Sequence, residues 1–283
     1  MKNIKTILAP TDFSVPADSG VYYAMKLAKQ FNASVILYHS FIPFESGFYP
    51  PAQSKKENKE TEDNLITRLS KIKEELLKSY KTIPISIHVD RGPDSLRLIE
   101  FCKKHNIDLI VMGTKGAGGL KKVVIGSLTA DIMSKAPCPV LAVPEKCKFK
   151  MPKKITFASN YIKKDIQSIK FLLRLNESFK AKINVLHIND GEDLPASTEK
   201  SVIDNKRKIE KLCEDNSISI QHIEGNDIPK AILHTTLNDK TDILVLSPMK
   251  REGIWARLFH KSVTKTIAYH IRFPLLTIPV KDS

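Results

Sequence analysis

Apolar residues along the chain fall into two alternating patterns. Short apolar runs rich in β-branched residues are separated by longer stretches in which apolar positions return every three or four residues. "IKTILAP" is such a run, closed by Pro10. "SVPADSGVYYAMKLAKQF" follows with helical spacing, Ser14 placed as N-cap and Pro16 in the first turn. "SVILYHS" reads as a strand, residues 41–57 as a loop carrying Pro43, Pro50 and Pro51, and about Asn58 to Tyr80 as a long charged helix. "IPISIHV" is a strand, "RGPDSLRLIEFCKKHN" a turn and helix, "IDLIVMG" a wholly apolar strand. A glycine-rich loop, the helix "SLTADIMSKA" and the strand "CPVLAVP" complete the unit.

Runs such as "LIVM" and "ILVL" have no polar face. Strands of that kind lie under helices on both sides of a parallel sheet. Strand and helix alternating at this spacing predict an α/β fold, doubly wound and Rossmann-like, with helices flanking a parallel sheet.

The order then repeats. "KKITFAS" answers "IKTILAP", "AKINVLHI" answers "ASVILYHS" down to His187 for His39, "KTDILVLS" answers "NIDLIVMG", and "FPLLTIP" answers "CPVLAVP". Internal duplication predicts two such units, residues 1–146 and 153–283, with the boundary in the polar stretch from Glu145 to Lys153.

Composition narrows the function classes. The 283 residues carry a formal net charge of +14. The lysines are spread along amphipathic helices without interleaved aromatics, and no zinc-finger or helix-turn-helix spacing occurs. A solvated lysine-rich surface is therefore expected rather than a nucleic-acid interface. Cys102, Cys138, Cys147 and Cys213 form no C-x-x-C pair and no Cys/His cluster of metal-ligand spacing. Reduced thiols in a cytoplasmic protein are expected. No apolar stretch is long enough to span a membrane, and the apolar run of "MKNIKTILAPTDFS" is too short for a signal segment.

The chemistry concentrates in "MGTKGAGGLKKVVIGS", Met112 to Ser127, which holds five of the chain's eleven glycines. The pattern is neither a P-loop nor G-x-G-x-x-G, because Lys121 stands at the third glycine's place. Glycines still let backbone N–H groups face an anion with no Cβ between. Gly126-Ser127-Leu128 opens a helix whose free amides favour phosphate, with the Ser127 hydroxyl as a further donor and Lys115, Lys121 and Lys122 nearby. A connection that merely turns would need fewer glycines. Asp12 has two readings, a phosphate or metal contact and a cap for the first helix. Met112 has a plain core reading, and His39 and His187 read as hydrogen-bonded strand-end residues.

"ILAPTDFS", the stretch from "GPDSLRLIEF" through "DLIVMG" to "APCPVLAVP", and the glycine spacing Gly113, Gly116, Gly126-Ser127 together resemble the universal stress protein family in its ATP-binding branch. The resemblance is strong over residues 2–144 and weak over 153–280, as in a tandem member. It implies five parallel strands per unit and an adenine nucleotide across the strand ends; the residues themselves offer no base paired with a nucleophile, so no catalytic residue is expected. By position it implies that Pro10, Thr11 and Asp12 line ribose and triphosphate, Asp12 through a magnesium ion. Ser40 would meet adenine through backbone groups, Met112 and Gly113 would flank the ribose, and Gly116, Gly126, Ser127 and Leu128 would hold phosphates. Lys115 stands where many members have His, and would add a phosphate contact.

The second copy departs from this device. Gly113, Gly116, Gly126 and Ser127 align with Ser247, Lys250, His260 and Lys261, Pro248 removes a backbone donor, and Asn160 replaces Asp12. No nucleotide is expected there by the same mode, although Lys250, Arg251, Arg257 and Lys261 offer an alternative basic site. The expected function is a stress-response regulatory protein that binds ATP, ADP or AMP with little or no hydrolysis and acts through a protein partner. The alternatives are a slow ATPase or phosphotransferase and a nucleotide-free dimeric scaffold. The apolar last strands, "PVLAV" and "PLLTI", predict pairing of the two halves as a pseudo-dimer, and a homodimer of chains is expected beyond that.

Overall fold

The computed structural model describes residues 4–45, 51–114, 125–145, 147–189, 191, 196–247 and 272–279. The first half runs β1 (Thr6–Pro10), α1 (Val15–Phe31), β2 (Ser34–Phe41), α2 (Pro51–Ser79), β3 (Ile85–Arg91), α3 (Asp94–His105), β4 (Leu109–Gly113), α4 (Ser127–Lys135) and β5 (Val140–Val143). The second runs β6 (Lys154–Ala158), α5 (Lys163–Phe179), β7 (Lys182–Asn189), α6 (Ala196–Asp215), β8 (Ser219–Glu224), α7 (Ile228–Asn238), β9 (Ile243–Leu246) and β10 (Leu275–Thr277).

One point differs from the sequence expectation. The long helix starts at Pro51, not near Asn58. Proline at the first helical position loses no helix hydrogen bond and has its φ already set, so Pro51, read as a loop residue, instead begins the helix.

All the described strands join one ten-stranded sheet in the order β3-β2-β1-β4-β5-β10-β9-β6-β7-β8. Among the described residues every pairing is parallel except β5 with β10, where Leu141 stands opposite Leu276. The apolar edges predicted from the two last strands thus cover each other within the chain. Each face of the sheet carries an apolar layer, and each layer draws on both halves: Ile7, Val111, Ile155 and Val245 lie in one, Leu8, Ile110, Leu244 and Leu275 in the other. That is why the β4 and β9 runs carry no polar residue.

The repeat extends to single hydrogen bonds. One oxygen of Asp108 accepts from the Lys5 and Thr6 amides, at 2.8 and 3.0 Å, and one oxygen of Asp242 from the Lys153 and Lys154 amides, at 2.7 and 3.0 Å. Lys150 and those amides outweigh the burial of Asp242 and hold its carboxyl below the usual range. Across the junction Phe31 meets Phe179, its own counterpart in the repeat, with ring centroids 5.4 Å apart. A residue touching its own copy marks a two-fold relation between the halves.

Candidate functional site

In the first half the strand order reverses between β1 and β4. Crevices outside the carboxyl ends of such strands are where open α/β sheets take ligands. Pro10, Thr11, Asp12, Ser40, Met112, Gly113, Gly126, Ser127 and Leu128 all lie at this end of the sheet or at the start of α4. Lys115 and Gly116 lie outside the described residues.

The turn after β1 is tightly specified. The Thr11 amide donates to the Tyr38 carbonyl at 2.9 Å, and the Phe13 amide to the Thr11 hydroxyl at 3.0 Å. His39 Nδ1 lies 2.7 Å from the Thr11 carbonyl, which makes it a strand-end clamp. Phe13 takes a left-handed φ of 64°, and its ring packs against His39 and under the Arg68 guanidinium. Ser14, not Asp12, caps α1, accepting from the Ala17 amide. Asp12 instead holds the Ser14 amide (3.1 Å) and hydroxyl (2.5 Å), and its carboxylate is exposed. Burial and the Asp12 charge push the nearby Asp18 carboxyl up. Sequence reading missed this second carboxylate, because an acidic residue in a first helical turn reads as ordinary dipole pairing.

The glycine at 113 has a structural reason. A Cβ there would sit 2.4 Å from the Pro16 carbonyl oxygen, and one on Gly20 would sit 2.6 Å from the Gly113 amide. Helix α1 therefore packs backbone to backbone on the end of β4. Met112 is buried among Leu8, Tyr38 and Ile110, so only its main chain can serve a ligand.

Helix α4 is stitched to β4 on both sides of the glycine loop. The Gly126 amide donates to the Thr114 carbonyl at 2.6 Å, and the Thr129 hydroxyl to the Gly113 carbonyl at 3.0 Å. Gly126 is the N-cap and supplies no side-chain cap, so among the described residues no cap side chain bonds the opening amides at Ser127 and Leu128. Beside them the Thr114 hydroxyl is buried and unpartnered among the described residues. No motif pointed to it.

Ser40 gives its hydroxyl to Asp94 at 2.8 Å. Its main chain is turned the other way. The Phe41 carbonyl accepts from Gly92 beyond β3, and the Tyr38 carbonyl accepts from Thr11. Alternate residues of a parallel strand bond to opposite neighbours, so the Ser40 amide and carbonyl face the β1 side, where β1 has ended at Pro10. No group of three or more His, Cys, Asp and Glu that could hold a metal occurs among the described residues. All four cysteines are free, and no described helix is long and apolar enough to cross a membrane.

In the second half Ser247 stands where Gly113 does, and the remaining loop positions aligned above, including Lys250, Arg251, Arg257, His260 and Lys261, lie outside the described residues.

A model of the universal stress protein family matches residues 3–144. A universal stress protein of Methanocaldococcus jannaschii is 34% identical over 158 residues, 53% of this chain and 84% of that protein. Universal stress protein A homolog 1 of Coxiella burnetii is 32% identical over 143 residues, 49% of this chain and 95% of its own. Among solved structures, a universal stress protein from Archaeoglobus fulgidus superposes with a TM-score of 0.72 at 14% identity, covering 98% of this chain and 99% of that one. At that identity the likeness is one of fold, and it extends over both halves.

Proposed function

The chain belongs to the universal stress protein family, and from that premise we propose that its first half binds an adenine nucleotide, ATP or its di- or monophosphate, as a regulatory ligand. The observation that carries this reading is the Thr114 hydroxyl, buried without a partner among the described residues and bonded through its own carbonyl to the uncapped start of α4. A buried hydroxyl without a partner costs about 1–3 kcal/mol. An anion at the α4 N-terminus would satisfy it together with the Ser127 and Leu128 amides.

The other contacts follow the strand ends. The Ser40 main chain offers one donor and one acceptor to the edge of a base. Thr11 and the Met112–Gly113 main chain flank the sugar, and Lys115 and Gly116 join the phosphate side. Asp12 would hold magnesium through the phosphates, and the metal would neutralise charge there. Residues 1–146 act as the nucleotide unit and 153–283 as its partner.

The proposed role is binding without fast turnover. Phosphoryl transfer needs an oriented nucleophile and a base. His39 Nδ1 is committed to the Thr11 carbonyl and one Asp12 oxygen to Ser14. In a single-turnover assay, hydrolysis well below about 1 s⁻¹ is expected, at the bottom of the ordinary enzyme range.

Thermal melting tests the binding. Magnesium and ATP at about 100 times Kd should stabilise the chain by about 2.7 kcal/mol. Asp12→Ala should lose the magnesium-dependent part and keep the rest. A melting temperature indifferent to adenine nucleotides, with and without magnesium, would contradict the proposal.

A further inference from the structure

The turns after β1 and β6 share the same bonds. The Ser159 amide donates to the Leu186 carbonyl at 2.9 Å, the Tyr161 amide to the Ser159 hydroxyl at 3.1 Å, and His187 Nδ1 lies 2.9 Å from the Ser159 carbonyl. Tyr161 repeats the left-handed φ of Phe13, at 58° against 64°, and its ring packs on His187 as Phe13 packs on His39.

Three positions around the turn differ together. Where the first half has Ala17, Gly20 and Gly113, the second has Asp165, Ser168 and Ser247. The Ser168 and Ser247 hydroxyls share a 2.7 Å hydrogen bond in place of the Gly20–Gly113 backbone contact. The Asp165 carboxylate, 2% exposed, points back under the turn. One of its oxygens accepts from the Ser159 hydroxyl at 2.7 Å, the Asn160 amide at 3.0 Å and the Ile162 amide at 3.3 Å. These partners are neutral groups.

We propose that the strand-end turn of the second half is an anion site which the chain fills with its own residue, the Asp165 carboxylate. Two main-chain amides and a hydroxyl converging on one buried oxygen are the donor set by which proteins hold external anions. The carboxylate is supplied from the first turn of α5, where the helix dipole also favours it. Position 17 in the first half is Ala, so that position supplies no carboxylate to the turn. The carboxylate of that half is Asp12, exposed in the turn itself. Moving the carboxylate from the turn to the helix closes the second half to outside anions at this point. It thereby sets which half can take a phosphate. Only this last consequence rests on the nucleotide reading.

The test is chemical rescue. Asp165→Ala, made in the full chain, deletes the carboxylate and leaves its donors. At pH 7 the variant should melt below the wild type. Sodium formate should raise its melting temperature saturably, while sodium chloride at matched ionic strength should not, and the wild type should respond to neither. Formate that leaves the folded variant unmoved, or moves wild type and variant alike, would overturn the proposal. Should the variant fail to fold, the wild type answers by NMR. The Asn160 and Ile162 amide signals should move with pH along the titration of the Asp165 carboxyl carbon. Amides that ignore that titration would equally overturn it. Neither readout involves a nucleotide, so failure here and failure of nucleotide binding are separate results.

Discussion

Thr114 and Gly113 are neighbours at the end of β4, and they answer to different forces. The Gly113 Cα faces the Pro16 carbonyl so closely that a Cβ cannot enter. Gly113→Ala should destabilise the chain by about 1–3 kcal/mol in denaturant unfolding, the usual cost of overpacking. Thr114→Val should do the opposite. Removing a buried hydroxyl that has no partner among the described residues should raise the melting temperature of the ligand-free chain while weakening its ATP affinity several-fold. A merely structural threonine would not separate stability from affinity in that way. The glycine was legible in the sequence from its spacing, as a neighbour of a ligand, and its packing against α1 is what the structure adds. Thr114 was not legible, because one hydroxyl at a strand end carries no periodicity and no motif.

At the scale of elements, the same strand–turn–helix unit is built twice with different endings. The β1–α1 turn presents its carboxylate, Asp12, to solvent, and the β6–α5 turn buries one, Asp165. Burial pushes the Asp165 carboxyl up to about 6, against the opposing pull of its hydrogen bonds to Ser159, Asn160 and Ile162. Unfolded, it would titrate near the ordinary value of about 3.9. Between those values the folded chain holds the extra proton. The proton-linked part of this group's stability is therefore fully present below about 3.9 and is lost as pH rises through about 6, leaving the hydrogen bonds of the ionised form. Asp165→Asn removes the titration, so wild-type stability should fall relative to the variant as pH is raised from about 4 to about 7. Parallel slopes in denaturant unfolding would count against a raised carboxyl. The sequence pattern showed the turns themselves, through the strand, the cap and the helix. It concealed the exchange of Ala17, Gly20 and Gly113 for Asp165, Ser168 and Ser247, because residues far apart in the chain change together and only the fold brings them into contact.

For the whole molecule, the antiparallel β5–β10 pairing turns two five-stranded halves into one ten-stranded sheet. That junction was foreseeable, since both last strands are apolar at consecutive positions and an edge of that kind needs cover. The Phe31–Phe179 contact was not, because two helix-terminal phenylalanines look like ordinary core until the two-fold relation brings them together. A double-mutant cycle with Phe31→Ala and Phe179→Ala should give a coupling of about 0.5–1.5 kcal/mol, and an uncoupled pair would mean that this ring contact does not hold the halves together. The same duplication that creates the sheet leaves its two strand-end turns unequal, one with Ala17 and the other with Asp165 beneath it. Titration calorimetry of the full chain with ATP and magnesium tests this inequality most directly. One nucleotide should bind per chain, its binding abolished or weakened by changes at Asp12 and Thr114 and unaffected by Asp165→Asn. Two equivalent sites per chain, or heats absent at any concentration, would contradict it.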